Sequence, residues 1–301
     1  MKMLMVGAGD IGRRVIEKTR RRDKVFAATS TPAKRSSLRR CGAIPILANL
    51  DRPGSLKRLP RDWNVLIHAA PPQSYLTRDV RTRHLLRELT RNPKAAGRVV
   101  VYLSTSGVYG NCAGARITES HPVSPRNARA RRRVDAERVL ARAARRGAFR
   151  LAILRVPGIY AADRLPLARL KAGTPALLPA EDVHTNHIHA ADLASLTLAA
   201  ARRMRRRVRP QVRIYHASDD SALLMGEYFD LVADAFALPR PPRLPRAEVA
   251  RQVSPMLLSF MSESRRLDNT RIKRELGVRL QFATAADGVA AAVNELLRQR
   301  A

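Results

Sequence analysis

A glycine-rich segment near the N-terminus constrains this chain more than any other feature. Residues 2–6 form a short apolar run that leads directly into Gly7-Ala8-Gly9-Asp10-Ile11-Gly12, and a helical pattern follows, with Ile11, Val15 and Ile16 on one face. A strand, then G-x-G-x-x-G, then a helix is the context that makes this motif specific for a phosphate-binding turn. The first glycine permits the tight turn, the second lets a pyrophosphate approach the backbone, and the third lets helix and strand pack closely. The free N–H groups at the start of that helix would then face the phosphates.

Strand and helix patterns alternate beyond this motif. Such alternation predicts an α/β protein, a Rossmann doubly wound parallel sheet with helices on both faces. The predicted strands are residues 2–6, 24–29, 43–48, 65–70, 98–104, 150–155 and 212–217. After the helix that follows the glycine motif, the helices predicted between these strands are 32–40, 74–90 and 127–146.

The last third of the chain has a different pattern. Proline becomes frequent and helical spacing dominates, over residues 222–237, 262–276 and 284–300. We expect a smaller, mostly helical C-terminal cap over the carboxyl ends of the strands, where open α/β sheets bind ligands. The predicted division is a dinucleotide-binding core of residues 1–155, to which 183–220 return, and a substrate or cap region of 156–182 and 221–301.

Composition excludes several classes of protein. In 301 residues, 45% hydrophobic content is enough for a large core and excludes a mainly disordered chain. No apolar run reaches the roughly 18 residues that a membrane-spanning helix needs. The N-terminal apolar stretch is interrupted by glycines and Asp10, unlike a signal peptide. We therefore expect a cytoplasmic protein with no membrane partner.

The positive charge is spread too widely to indicate one partner. The net charge is +32, and only eight of the 57 basic residues are Lys. Nucleic-acid modules combine a concentrated basic stripe with stacking aromatics. Here aromatics are 4% and do not interleave with the Arg runs. Specific nucleic-acid binding is therefore not expected, and polyanion binding remains only a third alternative for function.

The cysteines and histidines do not predict a metal site or a disulfide framework. Cys41 and Cys112 lack metal-ligand spacing and are too few for a framework. His184, His187 and His189 form a cluster that closes no tetrahedral site. We expect no metal, and interpret the histidine segment as a structural link that leads into a helix.

Six segments follow one another along the chain, namely GAGDIG at 7–12, HAAP at 68–71, STSGVYG at 104–110, LRVPGIYAADR at 154–164, HIHAADLA at 187–194 and IYHASDD at 214–220. Together and in this order they resemble one family, the extended and atypical short-chain dehydrogenases/reductases of the NAD-dependent epimerase/dehydratase superfamily. The pattern of GVYG, GIY and IHxxDLA is most similar to the atypical bacterial subgroup often labelled YeeZ-like.

The resemblance implies a nicotinamide dinucleotide and a set of residues around it. The adenine would lie near Asn49 and Leu50, Pro157 would approach the nicotinamide, and Thr105 matches the catalytic Ser/Thr of the family. Tyr109 and Tyr160 are weaker catalytic candidates. The predicted cofactor-binding residues are Gly7, Gly9, Asp10, Ile11, Gly12, Ser30, Thr31, Lys34, Arg35, Asn49, Leu50, His68, Ala69, Ala70, Ser104 and Pro157.

One departure from the family pattern concerns the acid/base residues. Active members carry Tyr-x-x-x-Lys on the helix after the fifth strand, with a Glu eight residues past the Tyr. Glu137 fits that Glu, which puts Arg129 at the Tyr position and Arg133 at the Lys position. Arginine is a permanent cation with a pKa above about 12, so neither residue readily supplies a proton.

The residues around the second strand indicate which dinucleotide binds. An NAD site usually has Asp or Glu at the end of this strand. Here the strand ends in Thr29-Ser30-Thr31, followed by Lys34 and Arg35. Hydroxyl groups and cations suit a 2′-phosphate, so we expect NADP(H) to be preferred, with NAD(H) as the alternative.

We expect the substrate to be a small anionic molecule. Arg155 ends the sixth strand and Arg164 follows the GIY turn, so the two are the predicted clamp for a carboxylate or phosphate.

The leading functional prediction is therefore an NAD(P)-dependent oxidoreductase or epimerase/dehydratase relative that acts on a small metabolite. The alternative is a non-catalytic NADP(H)-binding redox sensor, which the missing Tyr and Lys favour. A homodimer is one option for its assembly.

Overall fold

The computed structural model describes residues 1–19, 23–91, 97–206 and 211–298. Its centre is a seven-stranded sheet in which every neighbouring pair of strands is parallel. The strands of the described residues, inside and outside this sheet, are β1 (Lys2–Val6), β2 (Lys24–Thr29), β3 (Ile44–Leu47), β4 (Val65–His68), β5 (Val99–Thr105), β6 (Arg116–Ile117), β7 (Arg150–Val156), β8 (Gly158–Tyr160), β9 (Ala176–Leu177), β10 (His187–His189), β11 (Val212–His216), β12 (Arg243–Leu244) and β13 (Arg266–Leu267).

The strand order of the large sheet is β11-β7-β5-β4-β1-β2-β3. The chain reverses its direction of travel between β1 and β4, and open α/β sheets bind ligands in the crevice at that point. The predicted Rossmann fold is therefore confirmed. All seven predicted strands are present, with ends that differ by at most two residues.

Helices cover both faces of the sheet and build the remainder of the molecule. The helices are α1 (Asp10–Glu17), α2 (Arg35–Arg40), α3 (Val80–Leu89), α4 (Ala128–Arg145), α5 (Leu167–Lys171), α6 (Ala190–Arg206), α7 (Met225–Ala235), α8 (Arg246–Gln252), α9 (Pro255–Phe260), α10 (Thr270–Leu276) and α11 (Ala285–Arg298). One core cluster joins one face of the sheet to α1, α6 and α10, and a second joins the other face to α3 and α4. A third cluster lies among α5, α7, α8 and α11, outside the sheet.

Two predicted helices are shorter than their patterns indicate. The helix predicted over 74–90 begins at Val80, because Leu76 has a φ of +62° and the Asp79 side chain caps the helix by accepting from the Thr82 N–H. The helix predicted over 262–276 begins at Thr270, because the residues before it pair with β6 as strand β13. The end of the helix predicted over 284–300 lies outside the described residues. The division into core and cap stays a prediction.

In the part of the chain that the structure describes, no helix is both long and apolar enough to cross a membrane.

Candidate active site

The glycine turn is shaped by close contacts at two glycines and open space at the third. Gly7 has a φ of +95°, and a Cβ there would lie 2.2 Å from the backbone nitrogen of Ala70. A Cβ at Gly12 would lie 2.6 Å from the Gly7 carbonyl oxygen, whereas a Cβ at Gly9 would meet no atom within 4 Å. Gly9 directly precedes α1, so an anion has room to reach the N–H groups of that helix. This turn fits a dinucleotide pyrophosphate.

A cavity of about 370 Å³ lies on the β2 side of this turn. Eight predicted residues line it, namely Gly7, Gly9, Ser30, Thr31, Lys34, Asn49, Leu50 and Ala70.

Arg35 does not line this cavity, and its role in binding the cofactor stays a prediction. A single 3-10 turn over Pro32–Lys34 ends beside the cavity, and Arg35 then begins α2 on the exposed surface. Sequence reasoning missed Asp51 and Arg81, which line the same cavity and form an ion pair at 2.6 Å. They are 30 residues apart, and no local pattern relates them.

A second cavity, of about 280 Å³, continues on the other side of the glycine turn. It reaches from Gly9 past Ala69 and Ser104 to Thr105 and Pro157. The other predicted cofactor residues on its wall are Gly7, Asp10, Ile11 and Gly12, while Ala70 lines the first cavity.

His68 lies outside both cavities, which corrects the prediction for that residue. Its side chain is 1% exposed, and Nε2 is 2.8 Å from Thr82 Oγ1 on α3. The Thr82 hydroxyl donates to Asp79, so His68 Nε2 is the donor to Thr82. Burial lowers the pKa of His68 to about 3, with a further contribution from Arg133. His68 is therefore a neutral structural residue on the far side of the sheet.

A third cavity, of about 460 Å³, lies between the sheet and the C-terminal helices. It shares Thr105, Arg129, Pro157 and Arg164 with the second cavity, so the two meet at these residues. Thr105 Oγ1 accepts a bond from the Gly107 N–H at 3.2 Å, which fixes the side chain and leaves its proton free for another acceptor. The predicted reactive position of Thr105 thus lies at the junction of the two cavities.

Arg155 is not available to a ligand, which corrects its predicted role in the clamp. Its guanidinium donates to both carboxylate oxygens of Glu137, at 3.2 and 2.7 Å, and to the Tyr109 oxygen at 2.6 Å. The Ser104 hydroxyl donates to Glu137 from the neighbouring strand. Arg155 is 4% exposed and lines neither cavity.

The two tyrosine candidates also lie away from the cavities. Tyr109 is 1% exposed, and its oxygen is 2.6 Å from His216 Nε2 as well as accepting from Arg155. Burial raises the pKa of Tyr109 to about 12. The Tyr160 hydroxyl donates to the Thr284 carbonyl at 3.1 Å, and burial raises its pKa as well. Both hydroxyls are satisfied inside the fold, so the predicted catalytic roles are corrected to structural ones.

Arg164 lies at the junction but is not free. It lines both the second and the third cavity, and its Nη2 lies 3.1 Å from Asp10 Oδ2. Asp10 also accepts from Arg14 Nε at 2.9 Å. These two cations neutralise a carboxylate that stands at the phosphate-binding end of α1, which removes its repulsion toward a bound pyrophosphate.

Arg129 and Arg133 face the site from α4, at the positions where the family pattern has Tyr and Lys. Arg133 lines the second cavity and donates to the Tyr102 hydroxyl and the Leu103 carbonyl, both at 3.0 Å. Arg129 lines both the second and the third cavity. The assignment of these two arginines to the Tyr and Lys positions of the family stays a prediction.

A stacked pair, His187 and Tyr228, lines the third cavity and was not predicted as a site. The ring centroids are 4.0 Å apart at an interplanar angle of 28°. Pairing of β10 with β8 places His187 opposite Gly158, next to Pro157. Burial lowers the pKa of His187 to about 4. The periodicity of α7 marks Tyr228 only as a buried position, and no sequence signal relates it to His187.

Among the described residues, no group of three His, Cys, Asp or Glu side chains is placed to hold a metal ion.

The sheet order, the glycine turn and the cavities at the strand ends define a Rossmann-type protein with a ligand crevice. The model of the NAD dependent epimerase/dehydratase family matches residues 3–215, and the chain belongs to that family. No curated protein sequence matches the chain.

Solved structures of similar fold span the whole chain. One is a functionally unknown conserved protein from Silicibacter pomeroyi, with 28% identity, 98% of each chain covered and a TM-score of 0.81. The UDP-glucose 4-epimerase of Thermotoga maritima, solved with UDP-glucose, is 15% identical, with a TM-score of 0.77 and 100% of each chain covered. The UDP-glucose 4-epimerase of Bifidobacterium longum, in complex with NAD+ and UDP, is 16% identical, with a TM-score of 0.75 and 100% and 99% covered. At these low identities, the similarity to the two epimerases shows only a shared fold.

Proposed function

We propose that this protein binds NADP(H) along the first two cavities and acts as an oxidoreductase on a small anionic molecule in the third. The observation that carries the proposal is the continuity of the three cavities. The first two meet at Gly7 and Gly9, and the last two at Thr105 and Pro157. A dinucleotide laid along the first two would present its nicotinamide where the third begins.

Support for NADP(H) over NAD(H) comes from the wall of the first cavity. Ser30, Thr31 and Lys34 follow β2, and no carboxylate of β2 or of the turn after it accompanies them. Hydroxyl and ammonium donors suit a phosphate ester, whereas a ribose diol is usually held by a carboxylate acceptor. The Asp51 carboxylate in the same cavity is occupied by Arg81.

The chain's own residues would bind and orient a carbonyl substrate. A bound nicotinamide supplies or accepts the hydride. In reduction, hydride forms the new C–H bond, the carbonyl π pair moves to oxygen, and that oxygen takes a proton. The Thr105 hydroxyl would donate a hydrogen bond to this oxygen, while Arg129 would stabilise negative charge without titrating. Tyr109 and Tyr160 are bonded elsewhere, so the proton would come from water or from a titratable side chain on the wall of the third cavity, such as His187.

A redox sensor is the second candidate, and arginine at both acid/base positions favours it. Arg129 and Arg133 line the cofactor cavity, so they would hold a bound cofactor without moving a proton.

Titration of the purified protein with NADPH and NADH, followed by nicotinamide fluorescence, tests the proposal. We expect NADPH to bind at least about tenfold more tightly, since a charge-assisted hydrogen bond is worth about 1.5–3 kcal/mol. Failure of both dinucleotides to bind would overturn the proposal, and equal affinities would overturn the NADP(H) preference. NADPH oxidation with a panel of oxo acids then separates the candidates: turnover identifies the enzyme, and tight binding without turnover across the panel identifies the sensor.

A further inference from the structure

The third cavity has one unneutralised cation on its wall, within the described part of the chain. Arg164 pairs with Asp10 at 3.1 Å, and Arg265 pairs with Glu263 at 2.9 Å. Arg129 has neither a carboxylate partner nor a hydrogen bond among residues 1–19, 23–91, 97–206 and 211–298; its guanidinium lies 5.8 Å from the centre of the Phe260 ring. A bound anion would therefore find one free guanidinium at the junction with the cofactor cavity.

Arg129 is an exposed side chain, and the charges of two neighbouring arginines oppose its own. It lies in the first turn of α4, which has no acidic residue and carries the positive end of the helix dipole. Arg132 and Arg133 lie close by and, within the described residues, donate to neutral oxygens, namely the carbonyls of Leu76 and Leu103 and the Tyr102 hydroxyl. Desolvation lowers the pKa of Arg129, and the charges of Arg133 and Arg132 lower it further. An anion at Arg129 would relieve this repulsion.

Part of the wall of the same cavity is apolar, while Asn186, Ser259 and Glu263 are polar residues that also line it. Helix α7 contributes Met225, Tyr228 and Phe229, and α9 contributes Leu257 and Phe260. The His187 ring stacks on Tyr228, and because burial lowers the pKa of His187 to about 4, this ring is neutral at pH 7. Such a surface suits a flat or branched hydrocarbon group.

We propose that the substrate is a monocarboxylate with an apolar, ring-sized body, its carboxylate on Arg129 and its body against the His187–Tyr228 pair. This inference rests on the proposed function, because it puts the substrate carbonyl at Thr105, between Arg129 and Pro157. A nucleoside diphosphate carries at least two charges and a polar ribose. It would leave one phosphate charge without a free cation on the part of the wall that the structure describes.

Three related ligands separate the two halves of the proposal. Binding of 3-phenylpropionate, 3-phenylpropanamide and propionate is measured by calorimetry, on the protein alone and on the protein saturated with NADP+. UDP-glucose is measured in the same way, as a representative of the nucleotide-sugar class of ligand. We expect 3-phenylpropionate to bind at least about tenfold more tightly than the amide, which lacks the charge, and than propionate, which lacks the ring. Tighter binding of UDP-glucose, or equal binding of acid and amide, would overturn the proposal.

Matched variants on one helix locate the anion. Arg129→Gln should weaken 3-phenylpropionate at least about tenfold. Arg131→Gln, an equal change of charge at an exposed position of α4 outside the cavity, should have no effect. Equal effects of the two variants would overturn the assignment of Arg129. NADPH affinity, measured on the same samples, tests the proposed function separately. If the unaltered protein does not bind NADPH, the proposed function is wrong. If it binds NADPH but not 3-phenylpropionate, only this inference is wrong.

Discussion

Arg155 on β7 and Glu137 on α4 form a buried ion pair whose two side chains are 5% and 7% exposed. The guanidinium nitrogens Nη2 and Nε contact both carboxylate oxygens, and Ser104 and Tyr109 occupy further positions around the pair. Removing one partner of such a pair leaves an uncompensated charge in the interior. This network lies next to Thr105 along the sheet, so it also supports the candidate site.

Glu137→Gln should destabilise the fold by about 3 kcal/mol or more, because Arg155 would remain buried without its counter-charge. Urea unfolding followed by circular dichroism measures this free energy.

The control is Asp234→Asn, which removes the carboxylate of an exposed ion pair in which Asp234 is 51% and Arg240 63% exposed. This change should leave the unfolding midpoint unaltered. A loss of stability in Glu137→Gln no greater than in the control would show that the buried pair is not stabilising.

Gly9→Ala and Gly7→Ala should have opposite consequences for folding and binding. The Gly9 backbone, at φ −75° and ψ −157°, accepts an L residue, and a Cβ there meets no atom within 4 Å. Gly9→Ala should therefore keep its melting temperature and lose at least about tenfold in NADPH affinity, since the methyl group would occupy the path of the phosphates.

Gly7→Ala should instead lose about 2 kcal/mol or more of folding stability, because its φ is +95° and the Cβ overlaps the Ala70 backbone. Thermal unfolding and cofactor titration of both variants test this pair. A Gly7→Ala protein with unaltered melting temperature, or a Gly9→Ala protein with unaltered affinity, would contradict this description of the turn.

Lys34→Ala should weaken NADPH binding about tenfold and leave NADH binding unchanged, because its ammonium lies on the wall of the first cavity and would meet only the 2′-phosphate. Arg35→Ala removes the same charge one residue later, outside the cavity, and is the matched control. Parallel titration of both variants with both dinucleotides decides the point. Equal effects of the two variants would indicate a general electrostatic attraction in place of a contact.

Asp219→Asn should change how stability depends on pH. Asp219 is 3% exposed, and burial raises its pKa to about 7, against about 3.9 in an unfolded chain. Between these pH values the folded state binds more protons than the unfolded state. The contribution of Asp219 to the free energy of unfolding is therefore fully present below pH 4 and is lost as pH rises toward 7. The Asn variant lacks that loss, so its stability relative to the unaltered protein should rise by about 1–4 kcal/mol from pH 4 to 8.

Urea unfolding of both proteins at several pH values measures this difference. The effect of the buried histidines on the pH dependence cancels, because both proteins contain them. Asp62→Asn is the control, since the hydrogen bond from Lys2 lowers the pKa of that exposed carboxyl and keeps it ionised above pH 5. Its difference from the unaltered protein should be constant from pH 5 to 8. A flat difference for Asp219→Asn would contradict a raised pKa.

The elements of the sheet follow from local patterns, as residues 99–105 illustrate. They are apolar through most of their length because a central parallel strand is buried on both faces, and the strand is found within one residue of its predicted start and end. Leu76 and the 262–269 segment show the limit of this reasoning. Their apolar spacing continues a helical pattern, but a backbone turn and a pairing with β6 interrupt the helices.

Three arginines, Arg155, Arg129 and Arg164, mark the limit of what local sequence predicts for the site. The glycine turn and the parallel sheet follow from the sequence, because they depend on short-range sterics and on the period of burial. The sequence did not distinguish one arginine from another. A guanidinium is neutralised only by a carboxylate within about 4 Å. Glu137 reaches Arg155 and Asp10 reaches Arg164 through the packing of distant elements, whereas that packing leaves Arg129 facing the cavity.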